Sequence, residues 1–230
     1  MTPVKVFIGY DPRESVAFSV LAQSILRRAS IPVSITPLAL NNLKDIYTRQ
    51  RGPTESTEFA MTRFLVPYLS DYRGFSIFMD CDMLCQADIA ELMAEIGKDP
   101  FNAVWVCKHN YIPRESRKFL GQMQTAYPRK NWSSLMVFAN AGCKALSPEY
   151  VNNASGLELH RFAWTTDDRI GSLPLEWNWL VGEYERNPDA KILHYTLGGP
   201  WFEETENCDH ADEWRDECRT LWTAPSSASK

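Results

Sequence analysis

At 230 residues with 44% hydrophobic side chains, the chain is long enough to bury one sizeable core. A net charge of −5 excludes a broad polyphosphate-binding surface, and with it nucleic acid as a bulk partner, so an anionic ligand would need a metal or a local basic pocket. No apolar run has the length of a membrane span, and Met1-Thr2-Pro3-Val4 enters a strand-like run without a basic and then apolar leader, so the cytoplasm is the expected compartment.

Val4 to Tyr10 reads as a first strand. Asp11-Pro12-Arg13-Glu14 then opens a helix, with Asp11 as N-cap, Pro12 at the first helical position and Glu14 closing a capping box. Val16, Ala17, Val20, Leu21, Ile25 and Ala29 recur at helical spacing and predict packing on a sheet. Val33 to Leu38 is a second strand, placed at an edge because Pro37 cannot donate to a ladder. Asn41 to Ser56 is a polar loop, and a helix carrying Phe59, Ala60, Arg63, Phe64 and Pro67 follows, capped near Thr57. Phe75 to Met79 is a buried strand, Asp88 to Ile96 an amphipathic helix, and Ala103–Cys107 and Leu135–Ala139 are further buried strands. Lys191 to Tyr195 is a late strand ending in the turn Gly198-Gly199-Pro200-Trp201. Glu203 to Trp222 carries Cys208, Ala211, Trp214, Cys218 and Leu221 at helical spacing, a terminal helix packed by one face that either covers the sheet or makes a homodimer contact. Residues 224–230 form a small, polar tail expected to be disordered.

Alternating strands and helices predict an α/β fold with an open, mostly parallel twisted sheet, helices on both faces and a ligand site at the carboxyl ends of the strands. Asp80-Cys81-Asp82 falls at such an end. Two carboxylates one residue apart, where a buried strand stops, can share one divalent cation whose other positions face a phosphorylated ligand. Cys81 between them is expected to turn into the core. The six cysteines, Cys81, Cys85, Cys107, Cys143, Cys208 and Cys218, include no CxxC pair and read as reduced and structural.

Taken in order, Tyr10-Asp11 after the first strand, Arg63 with Pro67, the Asp-Cys-Asp triplet, the turn Asn131-Trp132-Ser133-Ser134 before a strand, and His194 followed by Gly-Gly-Pro-Trp resemble the family 8 glycosyltransferases, the glycogenin-like and galactosyltransferase-like group of the GT-A fold. The resemblance covers about residues 4–202. It implies a single GT-A domain over 1–223, with a nucleotide-binding half at about 1–100, an acceptor-side half at about 101–202 and the terminal helix at about 203–222. It also implies that Asp80, Asp82 and His194 hold Mn²⁺ or Mg²⁺ against a nucleotide diphosphate sugar, a chemistry suited to hard carboxylate oxygens with one imidazole. The donor-binding set it implies is Tyr10 and Asp11 at the nucleoside, Arg63 near the phosphates or the sugar, and Asp80, Cys81, Asp82, Asn131, Ser133, Gly198 and Gly199. Asp167 or Asp168 would orient the donor sugar. The implied activity is transfer of a hexose, from a uridine-linked donor, to a glycan, lipid-linked or protein acceptor with retention of configuration, by front-face attack in which positioning and electrostatics do most of the catalysis.

One departure stands out. The family closes its late motif with a lysine that pairs with the diphosphate, and this chain has Gly199 there. The N–H groups of Gly198 and Gly199, or Lys108, Lys130 or an arginine of the 41–56 loop, are the candidate replacements. Beside these readings stand plainer ones: His194 as a core histidine, Asp167-Asp168 as a helix cap, and Trp177, Trp179 and Trp201 as packing rather than a sugar platform. Rival functions are a haloacid-dehalogenase-like phosphatase, whose Asp-x-Asp normally closes the first strand and is followed by Thr or Val where this chain has Leu84, a sugar nucleotidyltransferase, and a non-catalytic nucleotide- or carbohydrate-binding protein on the same fold.

Overall fold

Among the described residues nine strands form, in chain order, at Val4–Gly9 (β1), Val33–Leu38 (β2), Phe75–Met79 (β3), Met83–Cys85 (β4), Val104–Cys107 (β5), Leu135–Ala139 (β6), Ile170–Leu173 (β7), Trp179–Leu180 (β8) and Ile192–His194 (β9). They belong to a computed structural model that describes residues 2–52, 55, 57–97, 101–110 and 129–223. The tail at 224–230, and part of the 41–56 loop, lie outside the described residues.

Six strands make one sheet in the order β2-β1-β3-β6-β5-β7. β1 pairs in parallel with both β2 and β3, and β5 with β7, while β6 runs antiparallel to β3 and β5. The proline-bearing β2 lies at the edge, as its missing N–H requires. The reversal of β6 matters most for the site, because it sets Asn131–Ser134, which leads into that strand, beside the carboxyl end of β3. The central strands are buried on both faces, and Ile77, Phe78, Met79, Met136, Val137 and Phe138 are all fully enclosed. Each such side chain is worth about 1.5–3 kcal/mol of burial, which makes the position at which β3 stops a rigid one.

The second sheet, of order β4-β9-β8, is not visible in the sequence pattern, since three- and two-residue strands carry no usable periodicity. It has its own small core of Val20, Leu84, Leu193, Tyr195 and Trp214.

Six α-helices form among the described residues: Ser15–Arg28 (α1), Val66–Leu69 (α2), Ile89–Glu95 (α3), Pro148–Asn153 (α4), Gly156–His160 (α5) and Ala211–Arg219 (α6). α1 buries Ala17, Val20, Leu21 and Ile25, as their spacing predicts. The segment with Phe59, Arg63 and Phe64 differs from the single helix expected. It is turns and a 3₁₀ stretch, Thr62–Leu65, and regular α-structure begins only at Val66, because Pro67 has no N–H and fits best in a first turn. The terminal helix is also shorter than expected: it starts at Ala211, after His210 in the left-handed region at φ 58°. Its Trp214 enters the second core, and its buried Glu217 pairs with Arg28 at 2.8 Å and Arg27 at 3.1 Å on α1. No helix among the described residues is long and apolar enough to cross a membrane.

Candidate metal centre and donor site

β3 ends at Met79, and the Asp80 N–H continues its pairing by donating to the Ser134 carbonyl at 2.9 Å. The chain bends through Asp80-Cys81-Asp82 and enters β4, whose first residue, Met83, is in register with His194 on β9. The Tyr195 N–H closes this join on the Asp82 carbonyl at 2.9 Å. A histidine more than a hundred residues downstream is thereby held against the two aspartates by sheet register. Its Nε2 lies 3.3 Å from Asp82 Oδ1 and 4.0 Å from Asp80 Oδ2, and ligand atoms of the three residues all lie within 4.8 Å of one another.

The imidazole presents the correct nitrogen. His194 Nδ1 is 2.9 Å from Asn178 Oδ1, while the Asn178 amide nitrogen donates to Ser134 Oγ at 2.8 Å and to the Asn131 carbonyl at 3.4 Å. A carbonyl can only accept, so the amide has its nitrogen toward Asn131 and its oxygen toward His194. The hydrogen on Nδ1 is then the one given to Asn178, and Nε2 is the nitrogen turned to the carboxylates, the one a metal would use. Two hard oxygens and one imidazole nitrogen at these separations fit a divalent cation such as Mn²⁺ or Mg²⁺.

Arg63 comes to this cluster from the other side. Its buried guanidinium pairs with Asp80 Oδ1 at 2.8 Å, donates to the Ser133 carbonyl at 2.9 Å and stacks over Phe78 at 4.9 Å. It fixes the carboxylate of Asp80 from within the core. The Ser133 hydroxyl lies 2.7 Å from Nδ1 of His160, a histidine that burial and the nearby Arg63 and Arg49 hold neutral with a pKa of about 3. Asn131 adopts the left-handed conformation, φ 62°, and contributes its carbonyl to Asn178 and Ser134.

Asp11 is enclosed, and its carboxylate takes the Arg13 guanidinium at 2.6 and 2.9 Å, the Arg13 N–H and the Glu58 N–H. Burial pushes its pKa up, but these hydrogen bonds outweigh that and hold it below the usual carboxylate range. Asp11 therefore caps the turn Pro12–Glu14 as predicted, with its charge directed at Arg13. Tyr10, half-buried, stacks edge-on to Phe18 at 5.5 Å. Glu14 does not close a capping box. It is buried beneath the Asp-Cys-Asp bend, with Oε2 3.9 Å from the Cys81 thiol, and Cys81 points inward as expected. At the carboxyl end of β2, a cleft of about 360 Å³ is lined by Leu40, Asn41, Lys44, Tyr47, Thr48, Arg49 and Glu58.

The late glycines have a packing explanation. Gly198 needs its φ of 110°, and its N–H donates to the Tyr195 carbonyl at 2.9 Å. A Cβ on Gly199 would lie 2.0 Å from the Trp201 ring, which packs on Tyr195 and Trp214, so no lysine fits there with the ring in place. Gly199→Ala is expected to destabilise by about 1–3 kcal/mol through overpacking, read as a lower melting temperature in a thermal denaturation. Of the suggested replacements, Lys108 donates to the Ile170 carbonyl at 2.7 Å, and Arg49 and Arg51 donate to backbone carbonyls. Lys130 is buried.

Asp167 and Asp168 are not members of the Asp80–Asp82–His194 cluster. They sit on an exposed 3₁₀ turn before β7, at that strand's amino end, whereas Asp80 stands at the carboxyl end of β3. The Asp167 side chain is 80% exposed and pairs with Arg129 at 2.7 Å. Trp177 is fully buried and Trp201 half-buried among other rings, which favours packing over a sugar platform for both. Sequence reasoning passed over Asn178 and Glu14. Asn178 had a signal, a lone amide between two tryptophans in an otherwise apolar stretch, whereas Glu14 looked like an ordinary cap.

No family model matches the chain. Solved structures similar to it include the WbbM bifunctional glycosyltransferase (TM-score 0.68, 19% identity), GlyE of Streptococcus pneumoniae TIGR4 (0.60, 14%) and the galactosyltransferase LgtC in complex with donor and acceptor sugar analogs (0.60, 10%). These cover 95%, 94% and 97% of this chain, which spans 50% of the WbbM chain, 60% of the GlyE chain and 98% of the LgtC chain. They show the fold, GT-A, with its central, mostly parallel sheet. A curated relative, Protein CDI of Arabidopsis thaliana, is 48% identical over 225 residues, covering 94% of this chain and 86% of the relative. On that identity, over nearly its whole length, the chain belongs to the family of Protein CDI, built on the GT-A glycosyltransferase fold.

Proposed function

We propose that the protein is a metal-dependent glycosyltransferase of the family 8 kind, moving a hexose from a nucleotide diphosphate sugar, most simply a uridine-linked one, to a carbohydrate-type acceptor with retention. The observation that carries this is the convergence of Asp80, Asp82 and the Nε2 face of His194 at the carboxyl end of β3. Asp80, Asp82 and His194 would hold the cation, Mn²⁺ or Mg²⁺. When bound, the cation supplies Lewis-acid stabilisation of the departing diphosphate. Asn178 fixes the imidazole, Arg63 fixes Asp80, and the cleft beside Tyr47 and Glu58, tied to Asp11 through the Glu58 N–H, is the proposed nucleoside position. On this reading the nucleotide-binding half spans about residues 1–100 and the acceptor-side half about 101–202. The solved LgtC complex with donor and acceptor sugar analogs supports the assignment of both ligands to this fold. Six free cysteines support a reducing compartment such as the cytoplasm.

The phosphatase reading loses its footing in the topology, because the triplet closes the third strand rather than the first. A thermal-shift series with UDP and UDP-sugars, with and without Mn²⁺, tests the proposal. A native-state ligand at a hundredfold its Kd adds about 2.7 kcal/mol, or roughly 5–10 °C for a domain of this size. Stabilisation that requires nucleotide and Mn²⁺ together is expected. Absence of any shift with every nucleoside diphosphate tried would refute the assignment, and binding without donor hydrolysis would leave a non-catalytic binder in its place.

A further inference from the structure

Glu14 is only 1% exposed. Among the described residues its Oε1 has no hydrogen-bond partner, and Oε2 accepts from the Cys81 thiol at 3.9 Å, a weak donor. A buried carboxylate normally has a cationic partner or several strong donors, because desolvating the charge otherwise costs several kcal/mol. Here the principal charges acting on it are Asp82, Asp11 and Asp80, all of its own sign, and Arg13, whose guanidinium is held by Asp11. Burial first, and then those three carboxylates, raise its pKa to about 8. Glu14 is the residue that precedes α1, yet its side chain makes no capping hydrogen bond to that helix, and the turn before it is capped by Asp11.

Resting on the cation site proposed above, we propose that Glu14 is a positioning residue of that site, a further negative charge buried behind Cys81 that strengthens the grip of Asp80, Asp82 and His194 on a divalent cation. In the metal-free protein burial and the surrounding aspartates disfavour the ionised carboxylate, and a cation arriving in front of it favours that form. The same like-charge crowding that favours a proton on Glu14 favours a metal at the neighbouring aspartates.

The probe is Mn²⁺ alone, with binding followed by electron paramagnetic resonance of the free ion and stability by thermal melting without metal. Glu14→Gln, close in shape and uncharged, is expected to bind Mn²⁺ about tenfold more weakly than wild type, the scale of one unit charge acting through a partly buried medium. Its metal-free melting temperature should be no lower than wild type, and Glu14→Asp, which keeps the charge, should bind Mn²⁺ within a few-fold of wild type. Equal Mn²⁺ affinity in wild type and Glu14→Gln overturns this inference while leaving the cation site standing. A Glu14→Gln variant that melts lower or fails to fold without metal also overturns it, since the carboxylate would then be a structural requirement. Wild type that binds no Mn²⁺ sinks the cation site itself, and this inference with it.

Discussion

Asp82→Ala is expected to abolish Mn²⁺-dependent hydrolysis of a nucleotide-sugar donor, a loss on the order of 10³-fold or more, while the protein remains folded. The cation's contribution to stabilising a departing diphosphate is worth several kcal/mol, and each 1.36 kcal/mol of it is a factor of ten in rate. Asp82 supplies one of the three ligand atoms, 3.3 Å from His194 Nε2. Folding should survive because the join between the two segments is made by backbone, the Tyr195 N–H on the Asp82 carbonyl and the β4–β9 ladder, which alanine keeps. Removing a carboxylate from beside Asp80 and Glu14 also relieves repulsion in the metal-free state. Circular dichroism checks the fold and donor hydrolysis with and without Mn²⁺ checks the activity; wild-type turnover in this variant would rule the assignment out.

Asn178→Ala is the second large effect, and it acts on both stability and metal affinity. The fully buried amide joins three residues: it accepts from His194 Nδ1, and it donates to Ser134 Oγ and the Asn131 carbonyl on the turn leading into β6. Alanine would leave those groups buried without their partner, at about 1–3 kcal/mol for an unsatisfied group. The imidazole would lose the contact that fixes its tautomer and orientation, and such outer contacts are worth 10–100-fold in metal affinity. A drop of that size in Mn²⁺ binding, together with a lower melting temperature, is expected. Asn178→Asp, which retains an acceptor for Nδ1–H, should keep Mn²⁺ binding close to wild type. If the alanine variant destabilises the fold yet binds Mn²⁺ as wild type does, the amide is a packing element only and has no part in orienting the ligand.

The two variants separate the layers of the site. Asp82 touches the proposed cation directly, whereas Asn178 acts through His194, so only the latter should be rescued by a side chain that restores one hydrogen bond. Arg63 belongs with Asn178: it comes from the 3₁₀ stretch before α2 and holds Asp80 by an ion pair within the core. The resemblance placed it near phosphates or sugar, and the described contacts place it against the carboxylate and the Ser133 carbonyl.

The local chain was legible wherever one segment carried its own physics. β1, β2, β3, β5 and β6 announced themselves as apolar runs, Pro37 announced an edge, and Asp11 announced a cap whose side chain accepts the Arg13 N–H. The Asp-Cys-Asp bend followed from the abrupt end of an apolar strand. Less legible was anything that depended on a partner from elsewhere. β4 and β8 are too short to show a period and exist because β9 lies between them. Gly199 looked like a lost phosphate ligand until the Trp201 ring was found in the space a side chain would need. Asp167 and Asp168, chosen by sequence order, sit on an exposed turn at the amino end of β7. Glu14, by contrast, passed as a surface cap, because a capping box is recognised by spacing alone and spacing carries no information on burial.

Sequence by itself determined the α/β class, the position of the two carboxylates at a strand end and the presence of a late histidine after an apolar run, since each of these is a property of neighbouring residues. Tertiary structure alone decided that His194 presents Nε2 to the aspartates, that Asn178 and Arg63 hold the ligands in place, and that Glu14 lies uncompensated behind them. The physical reason is that hydrogen-bond direction and desolvation are set by which groups meet in space, as Met83 meets His194 across a sheet register, and no local pattern encodes such meetings.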